Sequence, residues 1–209
     1  MSDTIEAVVY FDYLCPFAYR GVQLFTEMQR TRPNVHVMWR HFPLEQVNAK
    51  DENWKLWEQP LDYETIWDDP HSSRALRAFL ASHAASLQGE EAFACFRLAL
   101  FSARHDQKKS ISDPEVILDA ARQAELDLDA FTDNWQSQEA RDRLRDDYLS
   151  GREVGAFGVP TLVINGCEST YMRIINYPPA EERDTFFDEL VHLLTSRPYL
   201  QELKRASAQ

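Results

Sequence analysis

A cysteine followed at once by proline, in Cys15-Pro16-Phe17-Ala18, closes an apolar, aromatic run that ends at Phe11 and passes through a short acidic loop, Asp12-Tyr13-Leu14. The thiolate is the nucleophilic form of cysteine, and it is favoured where unpaired backbone N–H groups and the positive end of a helix dipole face the sulfur. Proline suits the first helical position, because its missing N–H has no intrahelical partner there and its φ is already helical. The spacing therefore predicts Cys15 in the opening turn of a helix, with a thiol that ionises more easily than a free one and attacks a disulfide or an electrophilic carbon. A second proline, Pro160, stands far downstream in Gly155-Ala156-Phe157-Gly158-Val159-Pro160-Thr161, at the entrance of the run Leu162-Val163-Ile164 and its Asn165-Gly166 turn.

These residues need elements to hold them. Residues 7–11 read as a buried strand, 16–30 as a helix with Phe17, Val22, Leu24, Phe25 and Met28 as apolar contacts, and 35–39 as an alternating strand with Pro43 at its exit. A right-handed βαβ connection would make the two strands parallel and end both on one edge, so that Arg40, His41 and Phe42 come near Cys15. His41 could there lower the thiol pKa or shuttle a proton, or stand as a solvent-facing strand-end histidine. Tyr13 and Phe17 border the cysteine and either shape access to it or pack in the ordinary way.

Residues 44–70 are polar and studded with Trp54, Trp57, Tyr63 and Trp67, which suits either a surface connection pinned to the core or a wall over the site. Helical patterns dominate residues 72–150. His71-Ser72-Ser73 caps the first of these helices, and Ser112-Asp113-Pro114-Glu115 opens a later one. The runs Arg141-Asp142-Arg143 and Arg145-Asp146-Asp147 read as a solvated, ion-paired helix face. After Pro160 a strand is followed by a returning strand over 169–175. Pro178-Pro179 then breaks the chain before an amphipathic helix over 181–194, with Phe186, Phe187, Leu190, Val191 and Leu194 on its buried side.

The order strand, Cys-Pro-x-x, helix, then a late Gly158-Val159-Pro160-Thr161 before a strand resembles the DsbA-like branch of the thioredoxin superfamily. The chain resembles the FrnE-like and mycothiol-dependent reductase members of that branch, and the run from Arg197 to Arg205 is similar to the end of the mycothiol-dependent reductases. The resemblance implies an α/β thioredoxin-like fold with an all-helical insertion, made of residues 1–70 and 151–209 around an insertion over 71–150. It also implies a cis bond between Val159 and Pro160 in a loop beside Cys15, with Val159 offering backbone hydrogen bonds to a bound thiol or peptide. Disulfide-introducing members carry a second cysteine where this chain has Ala18. Cys167 lies at the far end of the strand from Pro160, up to about 20 Å away by strand rise, beyond the roughly 7 Å between Cα atoms that a disulfide spans. Cys95 sits in an apolar helical stretch that suggests a buried, inert thiol.

The resemblance thus implies a monothiol oxidoreductase acting through Cys15. A low-molecular-weight thiol such as glutathione, mycothiol or bacillithiol would be its co-substrate, and a small thiol or disulfide its partner. The alternative is a thiol-using transferase or isomerase similar to the kappa-class glutathione transferases and hydroxychromene-carboxylate isomerases, in which serine usually stands at the position of Cys15. A noncatalytic binding protein ranks last, since the nucleophilic half of the motif is intact.

Composition narrows the setting. The chain has 209 residues, 44% of them apolar, enough for one large domain or two small ones. Its net charge of −12 disfavours nucleic acid and anionic membranes as partners. The polar start, the lack of any stretch long enough to span a bilayer and three widely spaced cysteines fit a reducing, cytoplasmic location. Neither Cys-x-x-Cys nor His-Glu-x-x-His occurs, so no metal site is expected.

Overall fold

β-Branched and aromatic residues at alternate positions build β1 (Ile5–Phe11) and β2 (Val35–His41), whose inner faces carry Ile5, Ala7, Val9, Phe11 and Val35, Val37, Trp39, His41. The two strands pair in parallel across α1 (Pro16–Thr31). The structure, a computed structural model, describes residues 4–67 and 74–202. The expected cap at His71-Ser72-Ser73 and the last residues of the 197–205 run fall outside them.

β3 (Thr161–Ile164) joins the other side of β1 antiparallel, and β4 (Thr170–Tyr171) follows it, giving a four-stranded sheet in the order β2-β1-β3-β4. β4 is much shorter than the returning strand read over 169–175. Just beyond Tyr171 the Met172 N–H reaches back across, to the Pro160 carbonyl at 3.0 Å.

Residues 44–67 are pinned onto the core, one of the two arrangements expected of them. α2 (Leu44–Asn48) is followed by a 3₁₀ turn, the Trp57 ring packs tilted against Tyr148 at 5.5 Å, and Tyr63 donates to the buried Glu45 carboxylate. Between β2 and β3 lie α3 (Leu76–Ser86), α4 (Glu90–His105), α5 (Pro114–Gln123), α6 (Leu128–Trp135) and α7 (Gln138–Glu153). Asp113, Asp127 and Ser137 cap the last three, each side chain accepting from backbone N–H groups of the first turn. α4 packs on α1 and α7 on β2, so the helical segment closes over one end of the sheet.

α8 (Arg183–Ser196) begins after a 3₁₀ turn over Ala180–Glu182 and lies on α1. Of the apolar stripe expected on it, Phe187 alone is fully buried. Phe186, Leu190, Val191 and Leu194 are half-buried, because α8 covers the outside of the sheet with nothing beyond it among the described residues.

Candidate active site

Three loops meet at one edge of the sheet. β1 and β2 end together, Phe11 opposite His41, while antiparallel β3 starts there with Thr161 opposite Tyr10. The Asp12 carboxylate ties two of the loops together, accepting from the N–H groups of Leu14 and Leu44, each at 2.7 Å. Its carbonyl accepts from Cys15 N–H at 3.1 Å, which turns the chain into α1. Cys15 is the N-cap of that helix, Pro16 occupies its first turn, and Ala18 is buried against the core.

The third loop arrives from the other half of the chain. The Val159–Pro160 peptide bond is cis, and the Val159 carbonyl accepts the Cys15 Sγ–H at 3.4 Å. A side chain at Gly21 would put its Cβ 2.9 Å from the Pro160 ring, so glycine there lets α1 lie close against the proline. Tyr171 of β4 packs over Gly158 and stands 5.2 Å from the Phe157 ring. Arg173, just past β4, lays its guanidinium over Phe17 at 4.1 Å.

Cys15 is only 7% exposed. Burial pushes its thiol above the ordinary range, the amides of Ala18 and Phe17 pull it down, Asp12 pushes it up again and Arg173 opposes that, and burial prevails. The expected easily ionised thiol is therefore corrected. The helix opening is present, but a thiolate cut off from water loses more solvation than two amides return. Burial also raises Asp12, to about 6, against the pull of the Leu14 and Leu44 amides and with a push from Glu45.

Two further expectations are corrected. Tyr13 does not shape access from solvent. It is fully buried, its ring packs on Phe11, Phe79 and Phe101, its hydroxyl shares a hydrogen bond with Ser82 at 2.7 Å, and its carbonyl accepts from His105. An aromatic ring at the seam between sheet and helices gains more from burial than at the mouth of the site.

His41 is neither solvent-facing nor hydrogen-bonded to the thiol. It is 5% exposed, its Nδ1 lies 3.4 Å from Asp147 of α7, and its backbone N–H donates to the same carboxylate at 3.0 Å. As the last inward position of β2 it points under the helices, where it lines a cavity of about 170 Å³ together with His83, Phe93 and Asp147. Asp147 in turn is buried, not part of a solvated face.

The other cysteines do not complete the site. All three thiols are free. Cys95 is exposed on α4 instead of buried, because it falls on the face turned away from Phe93, Phe96 and Leu100. Cys167 follows Ile164, which pairs with Ala7 at the other end of the sheet. Asp12, Tyr171 and Arg173 were not singled out by sequence. For Asp12 the signal was available, a lone carboxylate between a buried strand and a helix opening. Tyr171 and Arg173 become neighbours of Cys15 only through the pairing of β4 with β3. Among the described residues no group of three His, Cys, Asp or Glu side chains is placed to hold a metal ion, and no helix is long and apolar enough to cross a membrane.

The backbone resembles that of a probable DsbA oxidoreductase, SCO1869, from Streptomyces coelicolor, with a TM-score of 0.65 at 19% identity over 98% of this chain and 94% of that one. A 2-hydroxychromene-2-carboxylate isomerase gives 0.60 at 14% identity over 94% of this chain and 100% of that one. These likenesses define the class, a thioredoxin-like α/β fold with a helical insertion. The chain belongs to the DSBA-like thioredoxin domain family, whose pattern it matches over residues 6–190. It is also 26% identical over 200 residues to the uncharacterized protein Rv2286c of Mycobacterium tuberculosis, covering 94% of this chain and 80% of that protein.

Proposed function

We propose that the protein is a monothiol thiol–disulfide oxidoreductase that works through Cys15 alone, in a reducing cytoplasm, with a low-molecular-weight thiol as co-substrate. The observation that carries this reading is the placement of one sulfur at the opening of α1 and against the Val159 carbonyl, with Ala18 where a resolving cysteine would stand. The chemistry is exchange. Cys15 loses its proton to solvent, the thiolate attacks one sulfur of a disulfide R–S–S–R, that bond breaks, Cys15–S–S–R forms and R–S⁻ leaves. A second small thiol then attacks the mixed disulfide and restores Cys15.

Pro16, Phe17 and Ala18 build the turn that presents the sulfur, and Val159 and Pro160 form the surface against which the incoming thiol lies. Tyr13 and His41 hold the loops from behind.

A second reading has its own support. A thiol held protonated by burial is a hydrogen-bond donor more than a nucleophile, and the isomerase likeness spans that whole chain. In that case Cys15 S–H would orient the sulfur of a bound small thiol for addition to a carbon substrate. Mass spectrometry under non-reducing conditions after incubation with glutathione disulfide separates the two. We expect a single glutathionyl adduct that persists in Cys95→Ser and Cys167→Ser and vanishes in Cys15→Ser. Noncovalent retention of glutathione with no adduct would instead favour the transferase or isomerase reading.

A further inference from the structure

Arg173 is the feature beside the site that thiol exchange does not use. The register of β3 with β4 places Thr161 opposite Tyr171, and the Met172 N–H donates to the Pro160 carbonyl at 3.0 Å. Arg173 is therefore one residue further on, abreast of Val159, whose carbonyl holds the Cys15 thiol. Its guanidinium carbon lies 4.1 Å over the Phe17 ring, two residues from Cys15 on α1. Stacking of this kind fixes a long side chain that would otherwise lose much rotamer freedom on binding.

Arg32, Arg40, Arg143, Arg145 and Arg183 each pair with a carboxylate; Arg173, like Arg97 and Arg141, has no such ion pair among the described residues, and it is exposed. An exposed guanidinium without an ion-pair partner among the described residues, abreast of Val159 on a molecule of net charge −12, presents a fork of N–H donors to a partner's carboxylate.

We propose that Arg173 receives a carboxylate of the small thiol joined to Cys15, and so selects carboxylate-bearing thiols over neutral ones. This rests on the thiol-exchange reading and sharpens it. Among the thiols considered above, glutathione and bacillithiol carry carboxylates, and mycothiol, a sugar thiol with its cysteine carboxyl locked in an amide, does not. Phe17 supplies the platform for the guanidinium, and Val159, abreast of Arg173, holds the sulfur where the bond changes.

The test compares the rates at which two symmetrical disulfides load Cys15, anionic glutathione disulfide and neutral hydroxyethyl disulfide, followed by mass. The ratio of the two rates is the readout, since any change in the acidity of Cys15 moves both together. We expect Arg173→Gln to lower the glutathione preference about fivefold, the scale of one partly exposed charge-assisted contact. Arg173→Lys should restore part of it, and high ionic strength should erode the wild-type preference. An unchanged ratio in Arg173→Gln would overturn the inference and leave thiol exchange standing. Failure of both disulfides to load wild-type Cys15 would instead remove the exchange reading, and this inference with it.

Discussion

Replacing Asp12 by asparagine separates two effects that a buried carboxylate has on this site. The first is on the neighbouring sulfur. A negative charge close to Cys15 disfavours the thiolate, so Asp12→Asn should shift the pH midpoint of Cys15 alkylation by iodoacetamide downward. In the wild type that midpoint should lie above the value of about 8.5 for a free thiol. The second effect is on stability. Asp12 titrates near 6 in the folded chain and near 3.9 unfolded, so the folded form binds the proton more tightly. Wild-type stability is therefore penalised as pH rises through that window, by on the order of 3 kcal/mol. Asparagine does not ionise, so urea denaturation should show Asp12→Asn gaining on the wild type between about pH 4 and pH 7. The variant's lost acceptor for the Leu44 N–H costs about 1–3 kcal/mol at both ends. At this scale the spacing of Cys15 and Pro16 was legible, as was the late Pro160. The sign of the thiol shift was not, because the sulfur lies against Val159, distant in sequence, and burial depends on what packs above a group rather than on its own turn.

Helix α7 shows what periodicity could and could not say about an element. Its buried positions Ala140, Leu144, Asp147, Tyr148 and Gly151 follow a helical stripe. Asp147 was on that stripe, yet the alternating charges around it pointed to a solvated face. The structure puts its carboxylate under β2, accepting from Arg40 at 2.8 Å and from Arg143 at 3.0 Å while also engaging His41. Burial alone would raise Asp147, but its contacts with His41 and Arg40 outweigh that and hold it below the usual carboxylate range. Removing the anion leaves the buried His41 N–H without its acceptor and two partly exposed guanidinium groups without their carboxylate. Asp147→Ala should accordingly cost about 3 kcal/mol in urea unfolding at neutral pH. Because the folded pKa is depressed, this stabilisation is present above the unfolded value and fades as pH falls through the folded one. The gap between wild type and variant should therefore narrow below about pH 4.

On the scale of the whole molecule, the sequence identified the sheet and the helical segment but not the seam between them. The residues that make the seam look unremarkable in isolation, and each draws its partners from several elements. Arg97 is the extreme case. From α4 it donates to Thr26 of α1 at 3.0 Å, and its guanidinium lies 3.7 Å from the Trp39 ring of β2 and 4.6 Å from that of Phe93. It is wholly buried, no carboxylate is paired with it among the described residues, and Nε and Nη1 lack partners. Desolvation pulls its pKa down to about 9. The stacking with two rings is worth about 2 kcal/mol or more where desolvated, and the hydrogen bond about 1, against a penalty of several kcal/mol for an uncompensated buried cation. The penalty wins in this balance. Arg97→Met keeps the stem and drops the charge, and should leave the protein as stable or raise its stability by about 1–3 kcal/mol. Arg97→Ala opens a cavity and should lose about 2–4 kcal/mol. Urea midpoints of the three proteins at neutral pH test both statements. A methionine variant weaker than wild type would mean that the stacked charge holds the two layers together after all.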